Sequence, residues 1–149
     1  MHTLNRVCLT VCTRCRPPEF TSPDEERPGY KLAAAILRRV QRHAALPLAI
    51  HMRGARCMSQ CKRPCVVALS APAKFTLLFG DLSAGTDAHA VITLAQQYAE
   101  SSDGLVPRAE RPAPLRAGIL GRIAPLGFAG DIIDPAFAFP PNPTKGHFP

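Results

Sequence analysis

The sequence predicts a small α/β sandwich built on a four-stranded mixed sheet. Three observations predict it: short β-branched apolar runs in the first eighty residues, two amphipathic stretches at helical period, and a proline-rich, aperiodic C-terminal end. The chain has 149 residues, 46% of them hydrophobic and 19% charged, which suits one packed domain. Aromatics make up 6% and tryptophan is absent, so the core must be largely aliphatic.

Val7-Cys8-Leu9-Thr10-Val11 is apolar and β-branched and reads as a first, buried strand. It ends in Cys12-Thr13-Arg14-Cys15, and Pro17-Pro18 stop regular structure. Ser22-Pro23-Asp24-Glu25 has the grammar of a helix start: a capping serine, a proline in the first turn, then acids at the positive end of the dipole. Pro28-Gly29 interrupts that pattern, so the helix is placed over 30–44, with Leu32, Ala35, Ile36, Val40 and His43 as its apolar stripe. Pro47 ends it, and Leu48-Ala49-Ile50-His51-Met52 reads as the second strand.

Residues 53–64 carry glycine, cysteine and proline and read as a loop. Cys65-Val66-Val67-Ala68-Leu69 is the third strand, Ala71-Pro72-Ala73-Lys74 a turn, and Phe75-Thr76-Leu77-Leu78-Phe79 the fourth strand returning beside it. A second helix is placed over 86–100, with Ala90, Val91, Leu94, Ala95 and Tyr98 on one side, stopped by Ser101-Ser102-Asp103-Gly104. A short helical piece after Pro112 carries Leu115, Ile119 and Leu120. The resulting order, β-α-β-β-β-α with flanking helices, is that of a thioredoxin-like fold. Residues 1–124 form the expected domain, and 125–149 an irregular, proline-rich tail expected to be disordered.

Composition removes several function classes. No apolar run approaches the roughly 18 residues of a membrane helix, and the N-terminus lacks a signal-peptide core. A cytoplasmic protein with no membrane association is expected, a setting in which structural disulfides are unusual. The net charge is +7, but the basic residues run from Arg6 to Lys145 and stacking aromatics are scarce, which argues against nucleic acid. Such a surface suits an acidic redox partner instead. No phosphate-binding glycine loop or catalytic triad is present, and His51, His89 and His147 pair with no nucleophile, so no enzyme is indicated.

The six cysteines carry the chemistry. Cys57, Cys61 and Cys65 are spaced CxxxCxxxC, and Cys8, Cys12 and Cys15 are spaced CxxxCxxC. Each group adjoins a predicted strand end, and parallel strands of a β-α-β unit open on the same sheet edge, so the two groups can meet there. Soft thiolates converging at one edge select an iron–sulfur cluster, zinc or copper(I) over hard cations. Zinc tolerates both spacings and would make the chain a structural or metal-handling module. Cys12-Thr13-Arg14-Cys15 alone resembles a thiol–disulfide redox motif, although Pro17-Pro18 replace the helix that would activate it. Cys8, inside the strand, reads as a small buried hydrophobe.

Cys57-x-x-x-Cys61-x-x-Pro64-x-Val66-Val67, followed by a hairpin and a helix, resembles the second half of the thioredoxin-like [2Fe-2S] ferredoxins and of the small iron–sulfur subunit of respiratory NADH dehydrogenase. A closer resemblance is to a bacterial family of predicted metal-binding proteins. It runs through Val11-Cys12-Thr13-x-Cys15-Arg16, Cys57-x-Ser59-x-Cys61-Lys62-Arg63-Pro64-Cys65, Phe79-Gly80-Asp81-Leu82, Tyr98-Ala99-x-Ser101-x-Asp103-Gly104-x-Val106-Pro107 and Glu110-Arg111-Pro112, and spans about residues 7–124. The resemblance implies one [2Fe-2S] cluster on Cys12, Cys57 and Cys61, with Cys15 as fourth ligand, in a one-electron carrier or cluster-bearing accessory protein. The early CxxC is tighter than in those ferredoxins. Cys65 stands where they have proline, and is either an added thiol beside the cluster or the replacement for Cys15. Homodimers are common among those ferredoxins. Arg14, Arg16, Arg56, Lys62 and Arg63 flank the cysteines and would favour a reduced, more anionic cluster.

Overall fold

Alternation along β1 (Val7–Cys12) sets the layering of the molecule, because successive strand residues point to opposite faces. Val7, Leu9 and Val11 are fully buried under the helices, and Cys8 and Thr10 face the other side. This is a computed structural model describing residues 6–17, 19–42 and 50–140. The expected helix end at 43–44 with His43, the strand start at Leu48-Ala49, Pro18 and the last part of the tail, 141–149, lie outside the described residues.

The sheet has the order β2-β1-β3-β4-β5, formed by β2 (Ile50–Ala55), β1, β3 (Val67–Ser70), β4 (Thr76–Phe79) and β5 (Ile119–Ile123). β1 and β2 are parallel, with Cys8 opposite His51 and Cys12 opposite Ala55. The other pairings are antiparallel: Leu9 faces Leu69, Val67 faces Phe79, and Thr76 faces Ile123. The helices α1 (Pro28–Arg42) and α2 (Ala88–Glu100) pack on β1 and on each other. Leu32 and Ile36 of α1 and Val91, Leu94, Ala95 and Tyr98 of α2 meet Leu9, Leu69, Leu77 and Phe79 in one core. The architecture is the mixed α/β, thioredoxin-like one expected.

Four details differ from the sequence-based expectation. The sheet has five strands, not four: only Ala113–Leu115 is helical, a 3-10 turn, and Ile119 and Leu120 enter β5. An apolar–apolar–Gly–Arg–apolar run has no clear period, and pairing with the free edge of β4 decides its state. β2 continues through Ala55, where a loop was expected, because its parallel pairing with β1 persists to Cys12. Pro28 opens α1 instead of interrupting it, since a first-turn residue has no intrahelical N–H bond to lose. β3 begins at Val67, two residues late, because Cys65 pairs with Leu82 beyond the end of β4.

The segment after α2 is locked by side chains. Tyr98 donates its hydroxyl to the Phe75 carbonyl at 2.6 Å, and Lys74 Nζ donates to the carbonyls of Tyr98 and Ala99 at 3.2 and 3.0 Å. These last carbonyls of α2 would otherwise lack donors, and a buried cation satisfies them. Ser101 and Asp103 receive the amides of Gly104 and Leu105. Gly104 has a φ of +83°, and a Cβ there would stand 2.7 Å from the Tyr98 ring, so glycine is required. Further on, Phe128 meets Phe75 edge-to-face with centroids 4.9 Å apart. Among the described residues no helix is long and apolar enough to cross a membrane.

Candidate metal centre

The parallel strands β1 and β2 end side by side, at Cys12 and Ala55. The Thr13 amide donates to the Ala55 carbonyl at 2.8 Å and the Thr13 hydroxyl to the same oxygen at 3.2 Å, so the Cys12–Cys15 turn is tied to the start of the Cys57 loop. The Cys12 amide donates to the Val66 carbonyl at 3.0 Å, which brings the far end of that loop to the same edge. Cys12, Cys15, Cys57, Cys61 and Cys65 therefore belong to one end of the sheet. Cys8 does not join them; it lies four residues back along β1, with Sγ 3.8 Å from the Thr10 hydroxyl.

The five thiols divide by environment. Cys12, Cys15 and Cys65 are buried, at 4%, 2% and 1% exposure, whereas Cys57 and Cys61 are exposed. Burial pushes the Cys15 thiol up to about 12, with Cys12 and Cys65 adding to the shift. Burial likewise pushes Cys65 up to about 11, helped by Cys12 and Asp87. Cys57 moves the other way, because the Ser59 amide donates to its sulfur at 3.3 Å, with smaller help from the Ser59 hydroxyl and Cys61. Without a metal, burial thus favours the protonated form of Cys15 and Cys65, while the Ser59 donors favour the thiolate of Cys57.

Two backbone features hold the site. Gly29, in the first turn of α1, donates its amide to the Cys15 carbonyl at 3.0 Å. A Cβ at Gly29 would stand 2.3 Å from the Cys12 carbonyl oxygen, so the helix can rest on the turn only through glycine. On the other side, Cys65 and Leu82 exchange backbone bonds of 3.2 and 3.3 Å, and the Asp81 amide donates to the Arg63 carbonyl at 3.0 Å.

A cavity of about 590 Å³ opens beside Cys57 and Cys61, lined also by Arg14, Arg16, Arg27 and Arg56. Asp24 meets Arg27 at 2.9 Å and Arg14 at 3.9 Å, leaving an excess of positive charge. Arg27 Nε is buried with no hydrogen-bond partner among the described residues. Asp87, the carboxylate near Cys65, is occupied by the Ser83 amide and the Thr86 hydroxyl.

Among the described residues, no three cysteine, histidine or carboxylate side chains stand close enough, as placed, to hold a metal ion. The donor set nevertheless fits a thiophilic group in kind: five sulfurs on one edge beside a cavity lined by four arginines. Such surroundings suit a group that is both soft-ligated and anionic. Sequence reasoning named the five cysteines but not Gly29, Arg27, Asp81 or Leu82. The run Phe79-Gly80-Asp81-Leu82 was the available signal for the last two.

Comparison with known proteins follows the same lines. The family described as a protein of unknown function, DUF1636, matches residues 9–125. No curated protein matches the chain. A solved structure of a thioredoxin-like [2Fe-2S] ferredoxin from Aquifex aeolicus is similar, with a TM-score of 0.54 and 15% identity over 84% of this chain and 99% of that one. A second structure, of the wild-type ferredoxin from the same organism, gives 0.51 and 16% over 78% and 98%. At this identity the similarity shows the fold.

Proposed function

The chain belongs to the DUF1636 family, and for it we propose a cysteine-ligated metal protein, specifically a [2Fe-2S] ferredoxin-like one-electron carrier or cluster-bearing accessory protein. The observation that carries the reading is the arrival of five thiols from two distant backbone segments, the 12–15 turn and the 57–65 loop, at one sheet edge. The ferredoxin fold of the similar structures supports it.

Cys12, Cys15, Cys57 and Cys61 would hold the cluster, with Cys65 as a fifth thiol beside it. When bound, the cluster supplies reversible one-electron transfer. The protein's own residues do the rest. The buried side of the site, with Cys12, Cys15 and Cys65, excludes water, while Cys57 and Cys61 face solvent and set the direction of approach. Arg14, Arg16, Arg27 and Arg56 offset negative charge at that mouth, and they present a cationic surface to an acidic partner protein. The role is non-catalytic and cytoplasmic in this reading.

Anaerobic reconstitution with ferrous iron and sulfide, followed by a potentiometric titration read by electron paramagnetic resonance, tests it. A reversible one-electron couple supports the reading. A chain that takes up zinc but forms no coloured, reducible species would make it a zinc module instead.

A further inference from the structure

Arg63 and Asp81 stand 18 residues apart and are joined twice. Arg63 Nε donates to Asp81 Oδ1 and Oδ2 at 2.9 and 2.8 Å, and its terminal nitrogen also meets Oδ2, so the guanidinium grips the carboxylate as a fork. Beneath this, the Asp81 amide donates to the Arg63 carbonyl at 3.0 Å. The contact is close because residue 80 is glycine: a Cβ there would stand 2.6 Å from the Arg63 carbonyl oxygen. Asp81 itself has a φ of +59°, a left-handed conformation that aspartate tolerates better than most residues. Each ionised side chain holds the other's charge, with the Asp81 carboxyl lowered and the Arg63 guanidinium raised.

The position of this pair matters more than its strength. Arg63 lies between Cys61 and Cys65, and its own amide donates to the Gln60 carbonyl at 2.9 Å. The reciprocal Cys65–Leu82 bonds continue the same attachment. The base of the 57–65 loop is therefore zipped to residues 80–82. The start of the loop has a different character: the Cys57 sulfur is met by the Ser59 amide at 3.3 Å and by the Ser59 hydroxyl at 4.0 Å, contacts within the loop itself.

We propose that Arg63 and Asp81 are positioning residues for the thiol site: their paired side chains hold the C-terminal base of the loop, fixing how Cys61 and Cys65 are presented to Cys12 and Cys15, while Cys57, at the other end of the loop beside β2, is held independently of the pair. The purpose of the device rests on the metal-binding reading; the device itself is measured without metal. It also gives a role to Gly80-Asp81-Leu82, which no ligand assignment uses.

The test is the alkylation rate of each cysteine in the reduced, metal-free chain, resolved by peptide mass spectrometry. Asp81→Asn preserves shape and tolerates the left-handed backbone, and Arg63→Gln opens the pair from the other side. Each variant should label the buried Cys65 about fivefold faster, the upper range for an exposed ion pair, with Cys8 and Cys57 unchanged. The double variant should label no faster than either single one, because the two residues act as a unit. Unchanged rates, additive rates, or a rise that includes Cys8 would overturn the proposal, the last because it would report general loosening. In chains carrying iron and sulfide, cluster loss to a chelator should also be about fivefold faster in Asp81→Asn; an unchanged half-life would overturn the positioning role. A wild-type chain that binds no cluster would sink the proposed function alone, since the labelling result does not depend on it.

Discussion

The Gly29 amide donates to the Cys15 carbonyl at 3.0 Å, and the same glycine leaves no space for a side chain, since its Cβ would lie 2.3 Å from the Cys12 carbonyl oxygen. The first turn of α1 thus seals the inner side of the cysteine site. Two effects oppose each other at this position. Helix propensity favours alanine over glycine by roughly 1 kcal/mol, whereas forcing a methyl into a packed contact costs about 1–3 kcal/mol. The obstacle here is backbone, which cannot rotate away, so the contact wins. Gly29→Ala should lower stability by about 1–2 kcal/mol in urea unfolding. A stabilised variant would show that α1 does not rest on the Cys12–Cys15 turn.

Ligand substitution separates the two ends of β1. Cys57→Ser, Cys61→Ser and Cys12→Ser should each lose most bound iron and sulfide. Cys8→Ser should retain them, because Cys8 sits beside Thr10 and away from the other five thiols. A Cys57→Ser/Cys61→Ser double variant with full iron and sulfide content would end the ligand assignment.

The buried thiols give the metal-free chain an alkaline limit. Cys15 and Cys65 are raised from 9.0 to about 12 and about 11, so above pH 9 the unfolded chain releases protons that the folded chain retains. Stability from these groups is complete below pH 9 and is lost as pH rises toward those folded values. Urea midpoints of the reduced, metal-free chain should fall between pH 9 and 11, and fall less steeply in Cys65→Ser. A flat profile would mean that these thiols are open to water.

Lys74 is 8% exposed, and its ammonium satisfies two terminal carbonyls of α2. Hydrogen bonds from charged groups contribute roughly 1.5–3 kcal/mol. Lys74→Met keeps most of the stem's packing, so it should cost about 2 kcal/mol in thermal or urea unfolding. It should leave iron content unchanged, because Lys74 lies at the turn before β4 and the cysteines at the opposite end of that strand. Lost iron with intact stability would contradict that separation.

How much of this was legible in the sequence depended on the range of the interaction concerned. Alternation in Val7–Val11 and the helical stripes through Leu32 and Ile36 and through Val91, Leu94 and Tyr98 are local signals, and they led to the correct elements. Strand parallelism, itself legible from the β-α-β order, places Cys12 and Cys57 on one edge. β5 was hidden because Ile119–Ile123 takes its state from an edge 40 residues earlier. The division into a buried trio and an exposed pair was hidden too, since cysteine spacing does not say what covers a loop. The attachment of Arg63 to Asp81 was invisible for the same reason: its two halves are distant in sequence, and each alone reads as a solvated charge.

The most direct test of the central claim is the iron, acid-labile sulfide and zinc content of anaerobically purified chain, with a visible spectrum before and after dithionite. The account predicts about two irons and two sulfides per chain and a charge-transfer band that bleaches on reduction. One zinc, no sulfide and no colour would contradict it.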